Sequence, residues 1–343
     1  MKRIAVEEHF YTKEYEDLVI SILKKDYPVK KVIEAEKQLD IETPWLSDNF
    51  RTRMPKMAEL VSNKLLDLGE GRLKEMDASG IEMQVLSLVS PGVQIFDIPT
   101  GNRMARKIND DLSKIIQKYP KRFSGFASIA PQDPGSAAKE LERAVNELGL
   151  KGAVINSHVN GEYLDNEKFW IIFEIAEALG VPIYLHPRSP SPHMYEPYAT
   201  YPPLATAVWG FGAEVGLHIM RLICSGVFDK FPNLKIILGH LGESLPFLLT
   251  RLDHISINLL PKRLKHNPSH YIKNNILVST SGMHFYPALL CTILSLGIDN
   301  ILFGTDYPME NTKMAVESMK KASISESDKM KIYHQNAERI LSI

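Results

Sequence analysis

Short β-branched runs alternate with longer amphipathic segments along nearly the whole chain. This is the signature of strands and helices that follow one another in a parallel α/β fold. Eight runs read as strands, at residues 3–7, 84–89, 124–130, 152–157, 182–186, 235–239, 276–280 and 300–304. Helical spacing fills the gaps at 101–118, 135–148, 167–179, 212–227, 243–257, 287–296 and 311–321, with a last helix at 325–341. Local chemistry supports these bounds. Asp133-Pro134-Gly135-Ser136 and Ser323-Ile324-Ser325-Glu326 suit helix starts, and Gly149, Gly180 and Gly297 suit stops. The count predicts an α/β fold of the closed (β/α)8, TIM-like barrel type, as a single domain spanning residues 1–343.

Residues 11–63 break the rhythm, being charged, rich in Lys, Glu, Tyr and Pro, and only weakly helical at 13–25. An insertion after the first barrel strand would rise above the C-terminal face, as a lid, a subunit contact or a solvated excursion. A second Pro-rich loop, Pro187 to Pro203, carries Tyr195, Tyr198 and Tyr201.

Composition narrows the function classes. With 44% hydrophobic and 24% charged residues the chain is an ordinary globular protein with a sizeable core. Lys+Arg 40 against Asp+Glu 41 leaves a net charge of -1, which speaks against nucleic acid or a membrane surface as partner. Cys224 and Cys291 lie in apolar helical stretches and read as core thiols. A strand begins at residue 3 and no apolar run looks long enough to span a bilayer, so a cytoplasmic location is expected.

The chemistry lies at the strand ends. Glu7 and His9 are two apart on the first strand and project to one face. His186 ends the run Val181–His186, and Asp306 ends Asn300–Asp306. In a parallel barrel all strand C-termini converge on one mouth, so these four can meet. Each alone would be structural by default, but chance rarely puts four such residues at strand ends. One Glu, two His and one Asp form a mixed N/O set suited to Zn²⁺ or Mn²⁺, with Mg²⁺ a third option. His240 and Glu243 stand in His-Leu-Gly-Glu, where a strand passes into a helix. Ligation by His240 is one option, but the neighbouring carboxylate favours a proton-handling histidine.

Other candidates carry a structural reading of equal weight. Asn156 ends a strand and is either a turn former or a ligand contact. Arg251 is either a helix-surface charge or a cation for an anionic substrate. Arg188 could hold a carboxylate or a loop, and His158, His218 and His284 are weaker, with His218 expected to be packed. Phe10, Tyr11 and Phe285 could wall a pocket, although core packing is the default.

These residues resemble the amidohydrolase superfamily, specifically the metal-dependent decarboxylases of γ-resorcylate (2,6-dihydroxybenzoate), 2,3-dihydroxybenzoate and salicylate. The likeness covers nearly the whole chain. It runs through Val6-Glu7-Glu8-His9-Phe10, Arg72 to Ile81, Leu86 to Gln94, Tyr184-Leu185-His186-Pro187-Arg188, Gly239-His240-Leu241-Gly242-Glu243 and Phe303-Gly304-Thr305-Asp306-Tyr307-Pro308. The first motif discriminates most. Hydrolytic members typically carry His-x-His there, whereas Glu7-Glu8-His9 puts a carboxylate first, as in the benzoate decarboxylases. No lysine stands in an obvious bridging position between two metals, which fits a mononuclear site.

The resemblance implies Glu7, His9, His186 and Asp306 as ligands of one divalent metal per subunit, with no organic cofactor. It implies Asp306 as a protonated donor to the carbon bearing the carboxylate, with His240 and Glu243 as its relay. Asn156 and Arg251 would contact substrate and Phe10 would wall the pocket. The partner would be a small aromatic carboxylate, and the assembly a homodimer or homotetramer. The alternative on the same barrel is a lactonase-like hydrolase, with metal-bound water as nucleophile and Asp306 as base. A non-catalytic barrel is a third reading, which the intact acid/histidine set argues against. The charged stretch at Lys24–Lys31 departs from the decarboxylases that the chain resembles.

Overall fold

In the computed structural model, residues 1–24, 43–259 and 264–343 are described. Every strand read from the sequence is present, the third divided at Phe126. The strands are β1 Ile4–Phe10, β2 Met83–Leu88, β3 Phe123–Gly125, β4 Ala127–Ser128, β5 Ala153–Asn156, β6 Ile183–His186, β7 Ile236–Leu238, β8 Ile276–Ser279 and β9 Ile301–Leu302. All ladders are parallel, in one sheet ordered β1-β2-β3 and another ordered β4 through β9. Backbone hydrogen bonds carry the two seams. Phe126 N donates to Leu86 O at 2.9 Å, and Val6 N donates to Phe303 O at 2.9 Å. The architecture is the α/β barrel type that the alternating pattern predicts.

Strand alternation sorts the core into two layers. Ile4, Val6, Val85, Phe126, Val154, Tyr184, Ile237, Leu277 and Leu302 form one buried cluster, the lumen. Their neighbours, such as Ala5, Leu86, Ile155, Leu185, Leu238 and Val278, join the larger cluster between strands and helices. Ala337 and Leu341 of the last helix add to the lumen cluster. The next inward positions toward the C-terminal end are polar or small, among them Ser87, Asn156, His186, Gly239, Ser279 and Gly304. The barrel is thus greasy through its middle and polar at one mouth.

β1 departs from simple alternation. Ala5 pairs with Gln84 but Glu8 pairs with Leu86, so one extra residue is accommodated between them. Such a bulge re-aims the side chains that follow. Val6 lies in the lumen cluster, yet Glu7 beside it reaches Tyr184 of the same lumen. Glu8 turns away to Gln84.

Helices follow their caps. Asp97 accepts from Thr100 N at 2.9 Å, which starts Ile98–Lys118 three residues before the expected 101. Asp133 and Ser325 cap Pro134–Asn146 and Glu326–Met330 as expected, and Gly180 ends Trp170–Leu179 in the left-handed conformation. The last helix is not uniform, because a π turn at Lys331–Gln335 interrupts it. Helices Pro55–Leu66, Glu70–Ser79 and Pro268–Asn275 were not anticipated. Lys13–Leu23 matches the weak pattern at 13–25, while residues 25–42, holding most of Lys24–Lys31, lie outside the described residues.

The reading that no apolar run reaches membrane length is corrected by Pro202–Ser225, whose 24 residues are long and apolar enough by composition. Its helical part, Gly210–Ser225, buries Val215, Ile219, Leu222 and Ile223 in the core.

Candidate active site

Four side chains from β1, β6 and the turn after β9 converge at the polar mouth. One ligand atom from each of Glu7, His9, His186 and Asp306 lies within 4.8 Å of the others. His9 Nε2 is 3.1 Å from Asp306 Oδ1, and the His9 and His186 rings meet edge to face at 4.7 Å between centroids. Ser87 Oγ, on β2, lies 3.2 Å from His9 Nδ1 and occupies the nitrogen facing away from the cluster.

Glu7 is fully buried, and its two oxygens differ. Oε2 accepts hydroxyls from Tyr184 and Ser281. Oε1 is buried without a hydrogen-bond partner, 3.6 Å from His186 Nε2 and 3.9 Å from His240 Nε2. A buried carboxylate oxygen left bare is expensive unless a cation meets it. Space for Glu7 comes from glycine. A Cβ at Gly239 would sit 2.7 Å from Glu7 Oε1, and one at Gly304 would sit 3.3 Å from Glu7 Cβ. The donor set, its span and the bare oxygen together fit one divalent ion.

Electrostatics distribute the protons. Burial raises the Glu7 carboxyl, with Asp306 adding to it and His240 opposing. Burial drives His186 well below the usual histidine range, leaving the neutral ring that a ligand needs. Burial would raise Asp306, but His240 and His9 outweigh it and hold the carboxyl below the ordinary range. Burial would lower His240, but Glu243 and Glu7 outweigh it and raise the ring well above normal. Glu243 Oε1 is 2.6 Å from His240 Nδ1, and His240 Nε2 is 3.8 Å from Asp306 Oδ2. These directions favour the proton on His240 over Asp306, whereas the resemblance implies an Asp306 that holds it. Burial also raises Glu8, to about 8, against opposing hydrogen bonds from Thr305.

Asn156 stands at the end of β5 with its backbone bracketed by Gln94. Asn156 N donates to Gln94 Oε1 at 2.6 Å, and Gln94 Nε2 donates to Asn156 O at 3.1 Å. Its side-chain Oδ1 is buried without a partner. The remaining candidates are not brought into the cluster. Phe10 is buried in the large apolar core rather than lining a pocket, because it follows His9 on the outward face of β1. Arg251 is exposed on helix Leu245–Leu259. Arg188 is buried and reaches His158 O at 3.4 Å, a loop-holding role, and His218 is packed as expected.

A cavity of about 430 Å³ adjoins His240 and is lined by Leu241, Pro246, Phe247, Met283, Phe285 and Cys291 among others. Cys291, read as a core thiol, thus faces this cavity, while Phe285 does help to wall one. Sequence reasoning missed Ser87, Tyr184, Ser281 and Gln94. A faint signal existed, since Tyr184 lies two residues before His186 on one strand and shares its face.

A model of the amidohydrolase family matches residues 62–343. The chain belongs to this family. It is 42% identical over 291 residues to the γ-resorcylate decarboxylase of Polaromonas sp. (strain JS666), covering 82% of this chain and 89% of that protein. The crystal structure of 5-carboxyvanillate decarboxylase from Sphingomonas paucimobilis superposes with a TM-score of 0.91 at 38% identity, covering 100% of this chain and 99% of that one. A dihydroxybenzoic acid decarboxylase from Polaromonas sp. JS666, with bound manganese and the inhibitor 2-nitroresorcinol, superposes with a TM-score of 0.84 at 38% identity, covering 99% and 97%. Within the amidohydrolase family, the chain stands among the aromatic acid decarboxylases.

Proposed function

We propose that this decarboxylase acts on an aromatic acid bearing a hydroxyl beside the departing carboxylate, with Glu7, His9, His186 and Asp306 holding one Mn²⁺ or Zn²⁺. The bare Glu7 Oε1, buried among imidazole nitrogens, carries the reading. The relatives favour the substrate class, since γ-resorcylate and 5-carboxyvanillate both place a hydroxyl next to a carboxylate.

When bound, the ion supplies a Lewis acid that fixes the substrate oxygens and neutralises their charge. Everything else falls to the chain. His240 holds a proton, with Glu243 fixing its Nδ1–H at 2.6 Å so that Nε2 faces Asp306. Asp306 takes that proton and delivers it to the ring carbon bearing the carboxylate. The C–C bond then breaks, its electron pair stays in the ring, and CO₂ departs with the proton in its place. No electrons enter or leave, which fits a site without an organic cofactor. The unpartnered Asn156 Oδ1 offers an acceptor to a ring hydroxyl.

Elemental analysis combined with CO₂ release from γ-resorcylate, 2,3-dihydroxybenzoate, salicylate and 5-carboxyvanillate tests this. The expected result is about one Mn²⁺ or Zn²⁺ per chain and turnover of at least one acid. Hydrolysis of a lactone with no CO₂ from any acid would establish the hydrolase reading instead.

A further inference from the structure

Glu8 sits between two of the proposed ligands and touches neither substrate space nor the cluster. It is nonetheless fully buried, with both oxygens engaged. Gln84 Nε2 donates to Oε2 at 2.9 Å from β2. From the turn after β9, Thr305 N donates to Oε1 at 2.9 Å, and Thr305 Oγ1 lies 2.9 Å from Oε1 and 2.8 Å from Oε2. Thr305 is the residue immediately before Asp306, and it too is fully buried.

Asp306 needs such an anchor. Its φ is 60°, in the left-handed region, which Asp enters more readily than most side chains but still at a cost that its surroundings must offset. The backbone supplies part of the restraint: Asp306 N donates to Glu7 O at 2.9 Å, and His9 N donates to Tyr307 O at 2.7 Å. Arg72, buried against the Tyr307 ring at 4.4 Å, also donates to His9 O. Glu8 is the side chain that ties β1 to the residue on which the Asp306 backbone turns. Losing that tie frees Thr305 to shift, and a shift of a few tenths of an ångström would spoil the 3.1 Å approach of Asp306 to His9.

We infer that Glu8 and Thr305 form a hydrogen-bonded clasp whose task is to position Asp306, making both positioning residues for the metal site and for proton delivery. The inference rests on the metal-site reading above. The hydrogen bonds of the clasp can be kept without the charge, because Gln84 Oε1 is buried without a partner. A Gln84 amide flip would let it accept from a glutamine at position 8, so Glu8→Gln should preserve the bridge.

The test compares Thr305→Val, Thr305→Ser and Glu8→Gln in the full chain. Mn²⁺ affinity is measured by chelator competition, alongside kcat and KM at saturating Mn²⁺ and the melting temperature of the metal-free proteins. Thr305→Val should weaken Mn²⁺ binding and lower kcat, each about tenfold, with KM changed by less than about twofold. Thr305→Ser should restore both, and Glu8→Gln should stay within about threefold of wild type. Thr305→Ala serves the same arm should the valine protein not fold. Wild-type affinity and kcat in Thr305→Val, equal impairment of the serine and valine variants, or a Glu8→Gln loss as large as that of valine would each overturn the inference alone. A wild-type protein that binds no Mn²⁺ would overturn the metal reading together with it.

Discussion

Two buried clusters in this barrel each set a glutamate beside histidine, and they differ in how their hydrogen bonds are used. At the mouth, Glu7, His9, His186 and Asp306 leave Glu7 Oε1 without a hydrogen-bond partner. A second set gathers between the loop after β5 and helix Gly210–Ser225, comprising Ser157, Tyr163, Glu214 and His218. Here the valences are closed. Leu164 N donates to His218 Nε2 at 3.0 Å, and His218 Nδ1 is 3.1 Å from Ser157 Oγ. Ser157 and Tyr163 hydroxyls reach the two Glu214 oxygens at 3.0 and 2.9 Å. Composition cannot tell a ligand shell from a strut; unused hydrogen-bonding capacity can. The closed set ties the loop after β5 to helix Gly210–Ser225, and the open set has the donors that suit a cation.

The strongest way to break this contrast is Asp306→Asn, which should lower kcat by about a thousandfold while substrate still binds. An Asp306→Asn protein that turns over like wild type would remove Asp306 from proton delivery. Chelation comes next. Stripping the ion should abolish CO₂ release and lower the melting temperature, and Mn²⁺ should restore both. Saturation at a hundredfold excess over Kd is worth about 2.7 kcal/mol. Restored activity without added metal would contradict the open-cluster reading.

The closed cluster should answer to pH through stability rather than turnover. Burial, with Arg221 nearby, pushes His218 down to about 3, so the folded state keeps it neutral. The unfolded chain takes up that proton near pH 6.5. Between those values the unfolded state binds more protons, so stability falls as pH drops, by up to about 1.4 kcal/mol per unit from this residue. Urea unfolding at pH 7 and pH 5 reads the loss, and His218→Gln should flatten it. An equal slope in that variant would take His218 out of the account. Smallest of all, Arg251→Ala should raise KM about twofold at low salt and leave metal content unchanged, as expected of an exposed charge that guides an anion. A changed metal content would place Arg251 in the site itself.

What was legible in the sequence was the part written in local periodicity. Strand ends at Glu7, His9, His186 and Asp306 could be marked because parallel strands deliver their C-termini to one mouth. Hidden features were those that depend on distant partners. Tyr184 gives its hydroxyl to Glu7 from 177 positions along the chain, and only its place two residues before His186 hints at it. The pull of His9 and His240 on the Asp306 carboxyl is hidden in the same way, since both rings must be in place before their effect can be counted. Helix Pro268–Asn275 escaped because its eight residues are too few and too polar to show a stripe.

The extra residue in β1 has the effect of an inserted letter in a reading frame. Up to Val6 the strand is spelled for packing; from Glu7 onward it is spelled for the site, with Glu8 facing outward to the Thr305 clasp between two inward ligands. Excising one residue there would leave the composition of the strand almost intact and yet exchange its inside for its outside. Changes in the two halves can therefore accumulate separately, provided the count between them is preserved.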